Sequence, residues 1–391
     1  MKELIRQARN RLEETLDLIR RLVECETPSG DAARIERFVE LLASELDGAA
    51  RIRKLRGGGF GPHLRCEFRL GAGRKDGQIL LLGHSDTVWP AGTLARRPFR
   101  QSKGRLWGPG VFDMKAGIAI AIEAVRVLAA LGRPVRRRIV LLLNSDEEVG
   151  SLTSRTLIEK EACRSVAVLV LEPATGLEGK LKTARKGVGV YTLRVQGRAA
   201  HAGVDFTAGA NAVLELARQI QRVAGFTRLS RGLTVSPNVV RGGQRSNVIP
   251  DEAVAEIDVR VLRLADADDL DARLRALKPY DSRCRIEITG GLNRPPMERS
   301  SDTVKLFRLA RELAAEIGIK LEESTSGGGS DGNFTAALGV PTLDGLGAVG
   351  EGAHAENESV LVERIPERVA LLAGLLEQLG TRELEPQAPR R

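Results

Sequence analysis

The sequence predicts an α/β protein in which a mixed central sheet flanked by helices is interrupted by a smaller α+β domain. Three observations predict it. Residues 139–143 and 166–171 are short, continuous apolar runs, the pattern of strands covered on both faces. Between residues 186 and 293 the elements run β-α-β-β-α-β, the order of a split, ferredoxin-like antiparallel unit. From about residue 295 the α/β texture resumes, so the second domain is read as inserted into the first. The expected boundaries are 1–185 and 294–391 for the larger domain and 186–293 for the insertion.

The elements follow in order. One helix is expected to about Glu24 and another over 32–46, with the turn Thr27-Pro28-Ser29-Gly30-Asp31 supplying N-cap residues. A glycine-rich turn (Gly57, Gly58, Gly59) and a short polar strand lead to the apolar run 78–82. An irregular stretch rich in Gly, Pro and Arg then precedes a helix over 115–131, whose alanine and isoleucine content implies burial on most sides. In the insertion, 188–195 alternates like a half-exposed strand. Helices are expected at 210–223 and 266–277, and strands at 233–240, 253–262 and 285–289. Helices over 303–317 and 365–379 complete the larger domain, and the polar, proline-containing tail from Thr381 is expected to fray.

Composition narrows the function. Aromatic residues are 3% of the chain, too few for base-stacking platforms, and the net charge of +9 is spread along it. The densest basic cluster, Arg133 to Arg138, falls between a helix and a strand and reads as a solvated turn, so no nucleic-acid partner is expected. A basic protein does attract small acidic substrates. Cys25, Cys66, Cys163 and Cys284 are scattered, with no C-x-x-C, which suits a reducing, cytoplasmic setting. No apolar stretch approaches the roughly 18 residues of a membrane span. The first 24 residues carry Glu3, Glu13, Glu14 and Asp17, which fits neither a secretory signal nor a transit peptide.

Metal-ligating residues collect at the ends of elements. His84-Ser85-Asp86 follows the run 78–82, and Asp113 precedes the helix at 115. Asp146-Glu147-Glu148 follows 139–143, and Glu172 follows 166–171. Open α/β sheets bind ligands beyond the carboxyl ends of their strands. Single carboxylates at such positions are commonly helix caps, but several converging on one sheet edge repel unless cations neutralise them. His354, in a late Gly- and acid-rich loop, is a fifth candidate. Zinc takes imidazole nitrogen and carboxylate oxygen, and H-E-x-x-H is absent, which argues against a helix-borne single-metal site. In an extended segment Glu147 and Glu148 point opposite ways, so one can bind metal while the other faces the reacting water. Asp86 is placed to orient the His84 imidazole with its carboxylate.

These segments resemble the M20 family of metallopeptidases, and most closely its glutamate carboxypeptidase branch. The resemblance rests on His84-Ser85-Asp86-Thr87-Val88, on Gly108 to Lys115, on Asp146 to Ser151, and on Leu171-Glu172-Pro173. It continues through His201-Ala202-Gly203, Ser246 to Pro250, Asp258-Val259-Arg260 and Gly327 to Gly332. The resemblance implies two zinc ions, with Co2+ or Mn2+ as substitutes. It puts His84, Asp113 and Glu172 on one ion, and Glu148, His354 and the shared Asp113 on the other. Glu147 becomes the general base toward a metal-bridging water. The insertion becomes a lid and dimerisation domain through which a homodimer forms, with His201 reaching the partner subunit's site to stabilise the oxyanion there. Asn247 and Arg260 hold the substrate's carboxylate, beside a loop that includes Gly328, Gly329 and Ser330. The implied reaction is cleavage of an amide next to a C-terminal amino acid, in a small peptide or an N-acyl amino acid.

Rival readings remain at this level. Gly328 to Gly332 fits G-x-S-x-G, with Asp344 and His354 in a permitted triad order. Gly345 to Gly350 fits G-x-G-x-x-G but opens no evident helix. Arg260 could instead pair with Asp258 on its own strand, and Asn247 could be a turn residue. An N-acyl amino acid deacylase of aminoacylase or desuccinylase type would use the same chemistry. A ligand-binding protein on an inactive scaffold would lack the base or a ligand, yet Glu147 and all five ligand positions are present.

Overall fold

The computed structural model describes residues 1–71 and 75–381. The tail expected to fray lies outside them, apart from Thr381. The chain divides into two compact units, one of Met1–Thr183, Arg299–Ser326 and Ser330–Arg391, the other of Ala184–Glu298 with Gly327–Gly329.

A six-stranded sheet organises the first unit, in the order Arg51–Leu55, His63–Leu70, Val135–Asn144, Gln78–His84, Ser165–Val170, Thr342–Leu343. The last four are mutually parallel, and the two at the other edge are antiparallel, so the sheet is mixed as expected. Alternation explains the unbroken apolar runs. Ile79 and Leu81 face a core shared with the helices Leu12–Glu24, Ala32–Glu45, Ala116–Ala130, Ser301–Ala315 and Ile365–Thr381. Leu80 and Leu82 face the opposite side, against Ile158 and Ala162 of the helix Arg155–Ala162. Both faces are thus dry, and parallel strands of this kind need no polar alternation.

Local differences from the sequence reading have physical causes. The first helix is two, Lys2–Asn10 and Leu12–Glu24, broken at Arg11, whose guanidinium reaches the fully buried Glu123 at 2.8 Å. The basic cluster is no solvated turn. The strand begins at Val135, Arg137 is buried against the carbonyls of Asp76 and Leu379, and Arg133 pairs with Glu3 and Glu377. Within the stretch read as irregular, the strands Arg100–Ser102 and Arg105–Trp107 pair with Ser359–Leu361 and Gly350–Glu351 in a small second sheet.

The second unit is the expected β-α-β-β-α-β fold. Its antiparallel strands lie in the order Thr234–Gly242, Glu252–Val261, Gly187–Gln196, Arg285–Arg294. The helices Ala212–Ala224 and Leu264–Arg275 supply Leu216, Val223, Leu270 and Leu274 to its core. The last strand runs beyond residue 289 because Gly290, at φ +84°, lets the backbone pass where a Cβ would lie 2.2 Å from the Val190 carbonyl.

Candidate metal centre

Each candidate ligand sits where an element ends. His84 is the last residue of Gln78–His84, and Glu172 lies two past the end of Ser165–Val170. Glu147 and Glu148 open a single 3-10 turn, Glu147–Val149, past the end of Val135–Asn144. The pair therefore lies in a turn, not in the extended segment expected, and the strict alternation argument does not apply there. Asp113 lies in the turn before Ala116–Ala130, where Gly110 at φ +72° lets the chain pass Thr87, whose Cγ2 would be 2.7 Å from an added Cβ. His354 comes from the loop between Gly350–Glu351 and Ser359–Leu361, which the small sheet fastens beside Trp107 and the Asp113 turn.

The side chains form two groups that share one carboxylate. Asp113 Oδ1 lies 3.2 Å from His84 Nε2, which is also 3.5 Å from Glu172 Oε1. Asp113 Oδ2 lies 3.3 Å from His354 Nε2, which is 3.2 Å from Glu148 Oε2. In each group the ligand atoms all lie within 4.8 Å of one another. Burial opposes ionisation of Asp113, but His354 and His84 outweigh it and hold the carboxyl well below its usual range. Burial likewise opposes charging of His84, yet Asp113, Asp86, Glu172 and Glu147 raise it well above the ordinary imidazole value. His354 is lifted to about 10 by Asp113 and Glu148.

The donor set fits divalent cations. Imidazole nitrogens and carboxylate oxygens are the ligands zinc takes, and the protons these carboxylates hold on both imidazoles mark where positive charge is needed. Glu148 Oε1 is buried with no hydrogen-bond partner, and burial pushes its carboxyl up. An oxygen so placed is costly unless something positive meets it.

Behind the ligands lies a supporting layer that differs from expectation. The His84 Nδ1 bond goes to the Asp86 carbonyl at 2.9 Å, while the Asp86 carboxylate is 3.6 Å away. That carboxylate instead accepts the amides of Glu147 and Glu148, each at 3.2 Å, and the Ser29 hydroxyl at 2.7 Å. Asp86 thus holds the acidic turn more directly than it holds the imidazole. Glu358, not singled out in the sequence, accepts four N–H donors: Trp89 Nε1 at 2.7 Å, Gly110 and Phe112 at 2.9 Å, and Asp113 at 3.0 Å. Burial raises its carboxyl and these donors work the other way. Its position four residues after His354 is the only sequence signal that could have found it.

Candidates in the second unit have their own surroundings. His201, exposed, accepts the amides of Gly203 and Val204 on Nδ1, each at 3.1 Å, which leaves Nε2 to carry the proton of the neutral ring. Arg260 is bonded through Nε and Nη2 to Asp258, the ion pair that was the alternative reading. Asn247 lies in an exposed turn, its carbonyl accepting the Ala202 amide. The Gly328 and Gly329 carbonyls accept from Arg185.

Ser330 is fully buried in the first unit, and its hydroxyl donates directly to Asp344 at 2.7 Å. No imidazole lies between them, and His354 is committed to Asp113 and Glu148, so the serine triad is not formed. The Gly345 and Gly347 carbonyls face the buried Arg368 guanidinium, which rules out a phosphate-binding turn.

Residues 80–378 match the model of Peptidase family M20/M25/M40. Carboxypeptidase G2 of Pseudomonas sp. (strain RS-16) is 31% identical over 372 residues, covering 93% of this chain and 88% of that protein. A succinyl-diaminopimelate desuccinylase of Polaromonas sp. (strain JS666 / ATCC BAA-500) is 30% identical, covering 77% and 74%. Among solved structures, aminopeptidase PepT of Bacillus cereus ATCC 10987 shares the fold at a TM-score of 0.78 and 22% identity, over 94% of this chain and 98% of that one. The M20 metallo-carboxypeptidase Sso-CP2 of Sulfolobus solfataricus does so at 0.71 and 16%, over 94% and 99%. The chain belongs to peptidase family M20/M25/M40 and is a metal-dependent hydrolase. No helix among the described residues is long and apolar enough to cross a membrane.

Proposed function

We propose that the chain is a di-zinc carboxypeptidase-type hydrolase that cleaves the amide next to a C-terminal amino acid, as in glutamate conjugates. The observation that carries this reading is the division of Asp113, one oxygen toward His84 and Glu172, the other toward His354 and Glu148. Zinc is the ion this donor set favours, with Co2+ or Mn2+ as substitutes. Two such ions, when bound, supply Lewis-acid charge and lower the pKa of a water toward neutrality.

The chain's own residues do the rest. Glu147, whose amide Asp86 holds and whose charge acts on His84, takes the proton of the attacking water and returns one to the leaving amine. His201, whose Nδ1 accepts the Gly203 amide, reaches the partner subunit's site and donates from Nε2 to the oxyanion there. Arg260 and Asn247 receive the substrate's free carboxylate, with Arg260 exchanging Asp258 for it, and Gly328 and Gly329 lie along the substrate's backbone. Ser330, spent on Asp344, is left out of this set. The second unit is the lid. Its edge strand Thr234–Gly242, mostly exposed, suits pairing with a second copy, and four free cysteines suit a cytoplasmic home.

A desuccinylase-like deacylase is the second reading, favoured by relatives of that name at 30% identity. A screen of peptides and N-acyl amino acids with added Zn2+ separates the two. Turnover of C-terminal glutamate conjugates supports the first. Turnover of N-succinyl amino acids without it supports the second. Zinc binding without any amide cleavage removes both.

A further inference from the structure

The first unit holds a cavity of about 270 Å3 beside the Asp113 turn, walled by Trp89, Trp107, Arg96, Arg97 and Arg100. These are the only two tryptophans of the chain, and both line this one cavity. The Arg97 guanidinium lies 5.3 Å over Trp89 and pairs with Glu356 at 2.6 Å. That of Arg100 lies 4.8 Å over Trp107. Stacking on an indole face holds a guanidinium in place while leaving its N–H edge to bond outward.

The charges do not balance. Three arginines meet two carboxylates, which leaves one positive charge in excess. Glu356 is taken by Arg97, and Glu358 already accepts four N–H donors. Arg96 and Arg100 have no ion-pair partner among the described residues. Two exposed guanidiniums without an ion-pair partner, one of them held on an indole face, at the wall of a small cavity are the parts of an anion site.

We propose that this cavity binds a carboxylate or phosphate group of a small molecule, held by Arg96 and Arg100. The site is separate from the metal ligands but joined to them, because Trp89, in its wall, donates to the carboxylate that also holds the Asp113 amide. An anion there bears on the geometry of the shared metal ligand. The inference stands whichever substrate the enzyme takes.

Since both tryptophans line the cavity, intrinsic fluorescence reads it directly. Zinc-loaded enzyme is titrated with glutarate, inorganic phosphate and neutral glutaramide. A saturable change is expected with an anion and not with glutaramide, and the tighter of glutarate and phosphate identifies the group. In Arg96→Gln, which touches neither indole stack, the apparent Kd rises at least about ten-fold, the effect of losing one charge-assisted bond. Arg100→Gln does the same, and unchanged zinc content shows that both variants are folded. No saturable signal in the wild type overturns the proposal. So does a signal that survives in both variants and disappears with the zinc, since the anion would then sit on the metal ions.

Discussion

The carboxylate of Glu358 accepts the amide of Asp113 at 3.0 Å across 245 positions of sequence, and with the same two oxygens it gathers Gly110, Phe112 and Trp89. The turn that presents the shared ligand is thus shaped by a residue that touches no ligand atom. Replacing one oxygen by an amide nitrogen in Glu358→Gln sets a donor against donors. The expected result is a folded protein whose zinc affinity or turnover falls about 10- to 100-fold, the usual cost of losing a supporting contact behind a ligand. Competition against a chelator measures the affinity, and wild-type values for both quantities would remove Glu358 from this role.

Glu147 and Asp113 should separate cleanly. Glu147→Gln is expected to keep both zinc ions and to lose about 10²- to 10⁴-fold in kcat, the range for a missing general base. Asp113→Asn should weaken both ions together, because each group uses one of its oxygens. Metal analysis alongside steady-state rates checks the pair. An active Glu147→Gln enzyme would falsify the assigned base.

Binding of zinc should release protons. In the metal-free protein the folded pKa of His354 is raised to about 10, and that of His84 well above the ordinary value. For a raised imidazole, the added stability is complete below the ordinary value of about 6.5 and is lost as pH rises through the folded value. Near pH 7.5 the His354 ring is therefore protonated and the His84 ring is biased the same way, so zinc displaces protons as it binds. Calorimetry in buffers of different ionisation enthalpy counts them, and the apparent affinity should climb with pH over that range. Proton-neutral binding would contradict the ion pairs described.

Ser330→Ala tests the serine-hydrolase reading through stability. Losing the buried bond to Asp344 is expected to cost about 1–3 kcal/mol in a denaturant titration. Hydrolysis should stay near the wild-type rate. Abolished turnover in a folded variant that still binds zinc would reinstate the serine.

Legibility tracked the physics that makes each feature local. Runs such as 78–82 and 166–171 announced buried parallel strands because both faces are covered, and ligands at strand ends were readable because they follow those runs directly. The 3-10 turn at Glu147 was not, since its conformation depends on the distant Asp86 carboxylate. Nor was the sheet joining Arg105–Trp107 to Ser359–Leu361, whose strands are too short to carry a period. Arg260 shows the converse: the neighbouring Asp258 two positions away offers an ion pair as the alternative to substrate binding, and that pair is formed.

The candidate ligands of one ion, His84, Asp113 and Glu172, are all synthesised before the second unit begins, whereas His354 and Glu358 emerge after it. The sheet strand Thr342–Leu343 and the core helix Ile365–Thr381 emerge late as well. A nascent chain on the ribosome therefore carries four of the five candidate metal ligands before it has all of the scaffold that aims them. The pair of metal groups is therefore complete only once the chain has been made as far as His354.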